Sequence, residues 1–600
     1  MEKLSPEARA DQFIRDEKQF QLGFLITEQS HPKTRGLSDA LARDTAEGLE
    51  MLYSVDGDIP PVFERVIGSE PFEKLVASIR KSLLSGGRII FSGCGATGRL
   101  AILLDAANRR FWTELFGLYP SLKEKVGGWL ESTGAVMTGG DYALVKSVES
   151  FEDYAAFGYR QMAERNLTAD DTVVAISEGG ETSSVIGTIH AGLDAGARTH
   201  FLFNNPAELM AERIVRSREV IENDAVNVID LTTGPMGIAG STRMQATTIE
   251  MLVAGSAFEL ALAEAAREKL AEDELRLLGV VGRTPKRTAE EFRTLLARLR
   301  SAENLKVAAD YIDFEAAIYE KGGRVTYFAD RAMIDIFTDT TERSPTFKIP
   351  PFRADNDTVS PAPWALVKDP TNDSVSAWKS ILFHTPNCIS WTPAEYRQMG
   401  APESIAADPP KIGVEELYRF QIGNEPDASR TEVTPNAAVA LLLGDEACVH
   451  AADAWRRAYD SQTEEYQTKA VLAIGPSAPN ADGFDRAFFI DVELPKTPLD
   501  LFGHIAPKLA LNNISSATMG KLGRLSSNWM AHVAASNKKL IDRSIRLASE
   551  LGGADYRTAA VEFFRTLDEL EQLPPAERGT VSPAARAAAN LRKRNGEARE

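Results

Sequence analysis

GGRIIFSGCGATGRL, running from Gly86 to Leu100, decides how the rest of the chain is read. Two glycines and an arginine lead into the apolar run Ile89-Ile90-Phe91. The turn Ser92-Gly93-Cys94-Gly95-Ala96-Thr97-Gly98 follows, and then a helix-like stretch from Arg99 to Ala107. The order is strand, tight loop, helix. The first backbone N–H groups of a helix have no partner within it and carry partial positive charge, so such a loop suits a phosphate. Glycines let the backbone approach the anion, and Ser92 and Thr97 offer hydroxyls. Gly93, Gly95 and Gly98 also satisfy the GxGxxG pattern of dinucleotide folds. That reading expects an acidic residue closing the next strand roughly 20 residues on. Past Ala107 the chain instead runs Asn108-Arg109-Arg110-Phe111-Trp112. A third reading leaves the glycines to helix–strand packing alone.

The composition bounds the partners. A chain of 600 residues is too long for one core, so two to four domains are expected. A hydrophobic share of 44% and a charged share of 26% are those of an ordinary soluble protein. A net charge of −19 argues against a nucleic-acid or anionic-membrane surface, so local groups must hold any anionic substrate. Cys94, Cys388 and Cys448 are widely spaced and form no CxxC, which suggests a reducing compartment and no zinc site. The seven histidines show no ligand spacing, and neither a metal nor a cofactor is expected. The start, Met1-Glu2-Lys3-Leu4, lacks the apolar core of a signal peptide, and no run approaches 18 apolar residues. The expectation is a cytoplasmic protein with no membrane contact.

Residues 1 to about 50 are polar and partly helical, with a turn-like exception at Leu25 to Pro32. Phe72, Leu75, Ile79 and Leu83 recur at helical spacing. After the opening loop, a strand is expected near Gly134 to Met137, then a helix containing Val148, Glu149, Phe151 and Glu152. Thr172 to Ile176 is a continuous, largely β-branched run of the kind buried on both faces. It ends in a second loop, Ser177-Glu178-Gly179-Gly180-Glu181-Thr182-Ser183-Ser184, that enters a helix from Val185 to about Leu193. Further strands are expected at Thr199 to Phe203 and Asn227 to Leu231. Gly240-Ser241-Thr242-Arg243 then precedes a long apolar helix to about Leu262. Alternating strands and helices predict a parallel sheet covered on both faces, with ligands at the carboxyl ends of its strands.

The chain then repeats. Gly322-Gly323-Arg324-Val325-Thr326-Tyr327-Phe328 echoes Gly86 to Phe91 at an offset of 236. Later strands are expected at Cys388 to Trp391, Ala438 to Leu443, Ala470 to Ile474 and Ala487 to Val492, with a helix from about Leu501. The second copy lacks a cradle. Ala329-Asp330-Arg331-Ala332 has no glycine, and Gly444-Asp445-Glu446 carries two acids that repel phosphate. One working phosphate site is expected. From Ala517 onward the chain is helical and alanine-rich, and Arg586 to Glu600 is expected to be frayed.

Several separated motifs resemble the sugar isomerase (SIS) domain proteins. These are Thr27-Glu28 to Pro32, Gly86 to Leu100, Val148 to Asp153 with its Glu152-Asp153, Ser177 to Val185, Asn204-Asn205-Pro206, and Gly234-Pro235 with Gly240 to Met244. They continue with Asp339 to Glu342 and Pro345 to Phe347, Lys508 to Asn512, Gly520-Lys521 and Ala535 to Leu540. Within that group the chain is similar to N-acetylmuramic acid 6-phosphate etherases and to the glucokinase regulatory protein, which shares the double-domain layout.

The resemblance implies two flavodoxin-like α/β/α domains with parallel sheets and a helical cap. The expected division is an N-terminal segment at 1–50, a phosphate-binding domain at 51–290, a degenerate domain at 291–520 and the cap at 521–600. The insert at 345–425 stands outside the likeness. The resemblance also implies a hexose or N-acetylhexosamine 6-phosphate ligand and two catalytic glutamates. The base position matches Glu152. The acid position matches Ala107 in the first copy and Glu342 in the second, and a family lysine matches Lys508 where the first copy has Met251. The two domains are therefore expected to pair within the chain around one composite site. Its binding groups are Ser92, Gly93, Gly95, Ala96, Thr97, Ser177, Gly179, Gly180, Glu181, Thr182, Ser241, Thr242 and Lys508. His504, one turn before Lys508, is a further acid/base candidate or a packed histidine. Three activities stay open: an etherase-type lyase, which the retained charge-bearing groups favour, a sugar-phosphate sensor acting on a sugar kinase, which would keep the same two glutamates, and an aldose–ketose isomerase.

Overall fold

The computed structural model describes residues 4–148, 151–450, 453–532, 538–573 and 581–597. Apolar runs build two separate five-stranded sheets. The first comprises β1 (Ile89–Gly93), β2 (Thr133–Met137), β3 (Thr172–Ser177), β4 (Arg198–Phe203) and β5 (Val226–Asp230), in the order β2-β1-β3-β4-β5. Every pairing is parallel, with Phe91 opposite Ala135 on one side and Val174 on the other. The second comprises β6 (Arg324–Phe328), β7 (Ala365–Lys368), β8 (Asn436–Leu443), β9 (Thr468–Gly475) and β10 (Arg486–Asp491), in the order β7-β6-β8-β9-β10. That is the same flavodoxin-like order, again all parallel. Strands buried on both faces need no apolar–polar alternation, which is why β3 and β8 read as unbroken apolar runs.

Long helices fill the space between the sheets. Ala96–Leu118 leaves the β1 loop and Met333–Phe347 follows β6; the two pack on each other. Gln245–Lys269 and Leu501–Lys521 also meet, and a Cβ on Gly255 would lie 2.5 Å from Leu501, so glycine sets their close approach. Gln245–Lys269 is long and apolar enough to cross a membrane by length and composition, but 94% of its apolar window is buried inside the protein. One apolar cluster runs through both sheets, from Phe91 and Val174 to Tyr327 and Val439.

Several expectations need correction. Cys388 to Trp391 forms no strand; Ile389 and Trp391 pack with Phe151, Phe157 and Tyr396 in a separate aromatic cluster. The edge strand β7 lies instead inside the 345–425 insert. The helix expected around Glu152 begins only at Ala155, and Glu152 sits in the turn before it; Glu149 lies outside the described residues. Helices Thr45–Asp56 and Pro285–Leu299 run through the expected boundaries at 50 and 290. Helix Pro6–Asp16 joins the C-terminal cap, where Phe13 packs on Phe563, Phe564 and Leu591. Of the stretch expected to fray, Arg586 to Glu597 lies in helix Pro583–Glu597, with Ala587, Ala588 and Leu591 buried, and 598–600 lie outside the described residues.

Candidate active site

In sheets of this order the crevice opens between the carboxyl ends of β1 and β3. A cavity of about 150 Å³ lies there. Three helix starts converge on it. Gly95 and Ala96 open helix Ala96–Leu118, Thr182 caps Ser183–Asp194, and Ser241 and Thr242 precede Gln245–Lys269. All five residues line the cavity. Gly95 has φ +58°, a conformation that a side chain disfavours. The Ser241 hydroxyl is buried and has no hydrogen-bond partner among the described residues, which leaves a donor for a ligand oxygen.

Glu152 and Glu342 both line the cavity, one from each half of the chain. They flank the tip of the β1 loop. A Glu152 oxygen lies 3.9 Å from the Cys94 thiol, and a Cβ on Gly95 would lie 3.7 Å from a Glu342 oxygen. Glu342 is bonded to the guanidinium of Arg99, which is fully buried and also donates to the Ala143 carbonyl at 2.8 Å. A third carboxylate, Glu178, faces the same space and accepts from the Thr247 hydroxyl at 3.4 Å. Burial, with the charge of Glu342 second, pushes its pKa up to about 7.

The remaining expected binding residues act behind the wall. Ser92 is fully buried and its hydroxyl shares a 2.7 Å hydrogen bond with Thr188. Thr97 accepts from the Cys94 N–H and donates to the Cys94 carbonyl, so it shapes the loop. Gly93 is glycine for packing, since a Cβ there would meet the Thr97 backbone at 2.5 Å. Ser177 donates to Thr182 and accepts from the Gly180 N–H, Gly180 takes φ +78°, and a Cβ on Gly179 would strike the Glu181 carboxylate. Glu181 pairs with Lys539 at 2.7 Å.

Lys508 does not line the cavity. Its Nζ donates to the Arg243 carbonyl at 2.9 Å, the Met244 carbonyl at 3.3 Å and the Thr248 hydroxyl at 2.9 Å. Burial pushes its pKa down to about 7, against the attraction of Asp56. His504 is buried against Asp335 at 3.0 Å and likewise stands outside the cavity lining. It is a packed histidine.

Three cations at the cavity were not among the expected site residues: Arg243, Lys539 and Arg543. Each is held by an acid: Arg243 by Asp339 at 2.7 Å, Lys539 by Glu181, and Arg543 by a two-point pair with Glu28 at 2.6 and 2.9 Å. Gly240, at φ +73°, leaves room for Arg543, since a Cβ there would lie 2.6 Å from its Nε. Glu28 belongs to the Thr27-Glu28 motif, and Thr27 is tied by Asn205, which also donates to the Gly179 carbonyl. The motifs at 27, 204 and 240 thus position one arginine and one loop. The motif segment Ala535-Ser536-Asn537 lies outside the described residues.

Two parallel sheets of the same order in one chain, with a glycine-rich loop after the first strand of one of them and three carboxylates at the cavity beside it, are the features of a sugar isomerase-domain protein. The description "Glucokinase regulatory protein N-terminal SIS domain" matches residues 72–193. The N-acetylmuramic acid 6-phosphate etherase 1 of Bacillus licheniformis is 28% identical over 330 residues, covering 50% of this chain and 98% of that protein. The N-acetylmuramic acid 6-phosphate etherase of an Exiguobacterium species is 32% identical over 231 residues, 38% of this chain and 68% of that protein. Among solved structures, the C-terminal domain of glucosamine-fructose-6-phosphate aminotransferase from Francisella tularensis aligns over 78% of this chain and 96% of its own, at 12% identity and a TM-score of 0.41. The chain belongs to the N-acetylmuramic acid 6-phosphate etherase family.

Proposed function

We propose that the protein is a carbon–oxygen lyase that removes the lactyl ether from N-acetylmuramic acid 6-phosphate at one composite site. The observation that carries this reading is the convergence of Glu152, from the first half, and Glu342, from the second, on a cavity ringed by three helix starts. The helix starts and the Ser241 hydroxyl bind the 6-phosphate, which the acidic surface otherwise repels. Glu152 takes the proton from the sugar carbon next to the carbonyl. The departing ether oxygen receives the proton that burial and the charge of Glu342 keep on Glu178. Lys539 faces Glu152 and offsets its charge.

Lactate release from N-acetylmuramic acid 6-phosphate tests the reading directly. Purified protein is expected to release lactate, with Glu152→Gln and Glu342→Gln each lowering the rate by 10²-fold or more, the usual scale of general acid–base catalysis. If wild-type protein releases none at high concentration, the lyase reading fails. If it binds the sugar phosphate without turnover, the site is a sensor.

A further inference from the structure

The second sheet has its own crevice, between the carboxyl ends of β6 and β8, where the first sheet holds its glycine cradle. Asp330 follows β6. Glu446 and His450 follow β8, one helical turn apart. Their ligand atoms all lie within 4.8 Å of one another. His450 Nε2 is 3.4 Å from an Asp330 oxygen and 3.6 Å from a Glu446 oxygen. The His450 side chain is only 8% exposed, yet Nε2 has no hydrogen-bond partner among the described residues. These separations are long for hydrogen bonds. They fit ligands around a metal: bonds of about 2.1 Å in a tetrahedral shell set neighbouring ligand atoms about 3.4 Å apart.

The supports behind these ligands also fit. His450 Nδ1 faces an Asp453 oxygen at 2.9 Å, the carboxylate–histidine arrangement that orients Nε2 towards a metal. The ring stacks on Trp455 at 4.8 Å. The Glu446 oxygens accept from the Leu443 and Arg331 N–H groups at 2.7 and 3.0 Å, which fixes the carboxylate. Asp330 is 55% exposed and provides the entry side. The nearby Arg331 guanidinium is engaged by Asp445 at 2.7 Å, and Arg110 lies over the Phe383 ring.

We propose that Asp330, Glu446 and His450 form a divalent transition-metal site, of Zn²⁺ type, with an open fourth position towards solvent. The degenerate crevice has thus exchanged an anion cradle for a cation cradle, and the metal ties the β6 loop to the β8 loop. Binding replaces the Nε2 proton with the metal.

The proposal is independent of the etherase reading. Full-length protein is stripped with a chelator, titrated with ZnCl₂ by calorimetry and assayed for retained metal after gel filtration. One equivalent per chain is expected. Asp330→Asn, at an exposed position, and His450→Ala are each expected to weaken binding tenfold or more. Asp453→Asn should weaken it less, as an orienting residue. Wild-type protein that retains no zinc, or zinc binding that is the same in wild type and Asp330→Asn, overturns the site.

Discussion

Glu178 shows how much one side chain can decide. It follows β3, faces the cavity, and keeps its proton to about pH 7 because burial and Glu342 disfavour the charge. Its folded-state pKa lies above the ordinary carboxylate value of about 4.3. The folded protein therefore holds more protons than the unfolded chain between those values, and this group's contribution to stability falls as pH rises through that window. Glu178→Gln removes the titration. Urea unfolding at pH 8 should find the variant more stable than wild type by about 3–4 kcal/mol, with the difference vanishing near pH 4. The rate of lactate release should also lose its inflection near neutrality. Parallel stability curves for the two proteins across this range would show that Glu178 is ordinarily ionised.

At the scale of elements, the strands were legible and the side-chain directions were not. Seven of the ten large-sheet strands follow from apolar runs after glycine or polar punctuation, because a doubly covered parallel strand has no other way to satisfy its environment; the edge strand β10 is half exposed and follows from Phe488 to Val492. β5 is less uniformly buried but keeps the alternating strand–helix order. β7 is four residues long and ends in Lys368, whose amine reaches the Glu425 carbonyl, so nothing marked it as a strand. Cys388 to Trp391 looked like one because burial in an aromatic cluster and burial in a sheet leave the same short apolar run. The loops of the site were readable from their glycines. That Ser92 and Thr97 would turn inward was not, since a hydroxyl serves loop closure as well as ligand binding. Lys539 and Arg543 reach the cavity from a helix more than 400 residues away in sequence from the β1 loop.

Lys508 marks the same limit, and its role can be tested. It braces the turn that enters helix Gln245–Lys269, so Lys508→Met removes one hydrogen bond each from the Arg243 carbonyl, which keeps Asn512, and the Thr248 hydroxyl, which keeps the Met244 carbonyl. The expected cost is about 1–3 kcal/mol in urea unfolding. The affinity for inorganic phosphate, measured by calorimetry, should change by less than threefold. A loss of phosphate affinity without a loss of stability would return Lys508 to the binding site.

At the scale of the whole molecule, the halves share both a core and a charge network. Arg243, at the edge of the first-half cavity, is bonded to Asp339 on helix Met333–Phe347 and to Asn512, Ser515 and Ser516 on helix Leu501–Lys521. Asp339 also holds Arg343, which reaches Glu315 at 3.0 Å, and Glu315 accepts from Tyr319 and Tyr327. All of these groups are buried, so deleting one charge strands its partner in a medium that cannot solvate it. Arg243→Met should therefore cost about 3–5 kcal/mol. With unfolding entropy near 2.1 cal/mol/K per residue, that cost is a fall of about 3 °C in Tm for a chain of 600 residues. Because the apolar cluster is continuous from one sheet to the other, calorimetry should show one transition that moves as a unit. A composite site requires that outcome, because a pocket with one carboxylate from each half survives only while both halves are folded. If Arg243→Met splits the heat-capacity curve so that only one peak moves, the halves melt separately, and Glu152 and Glu342 no longer depend on a common fold.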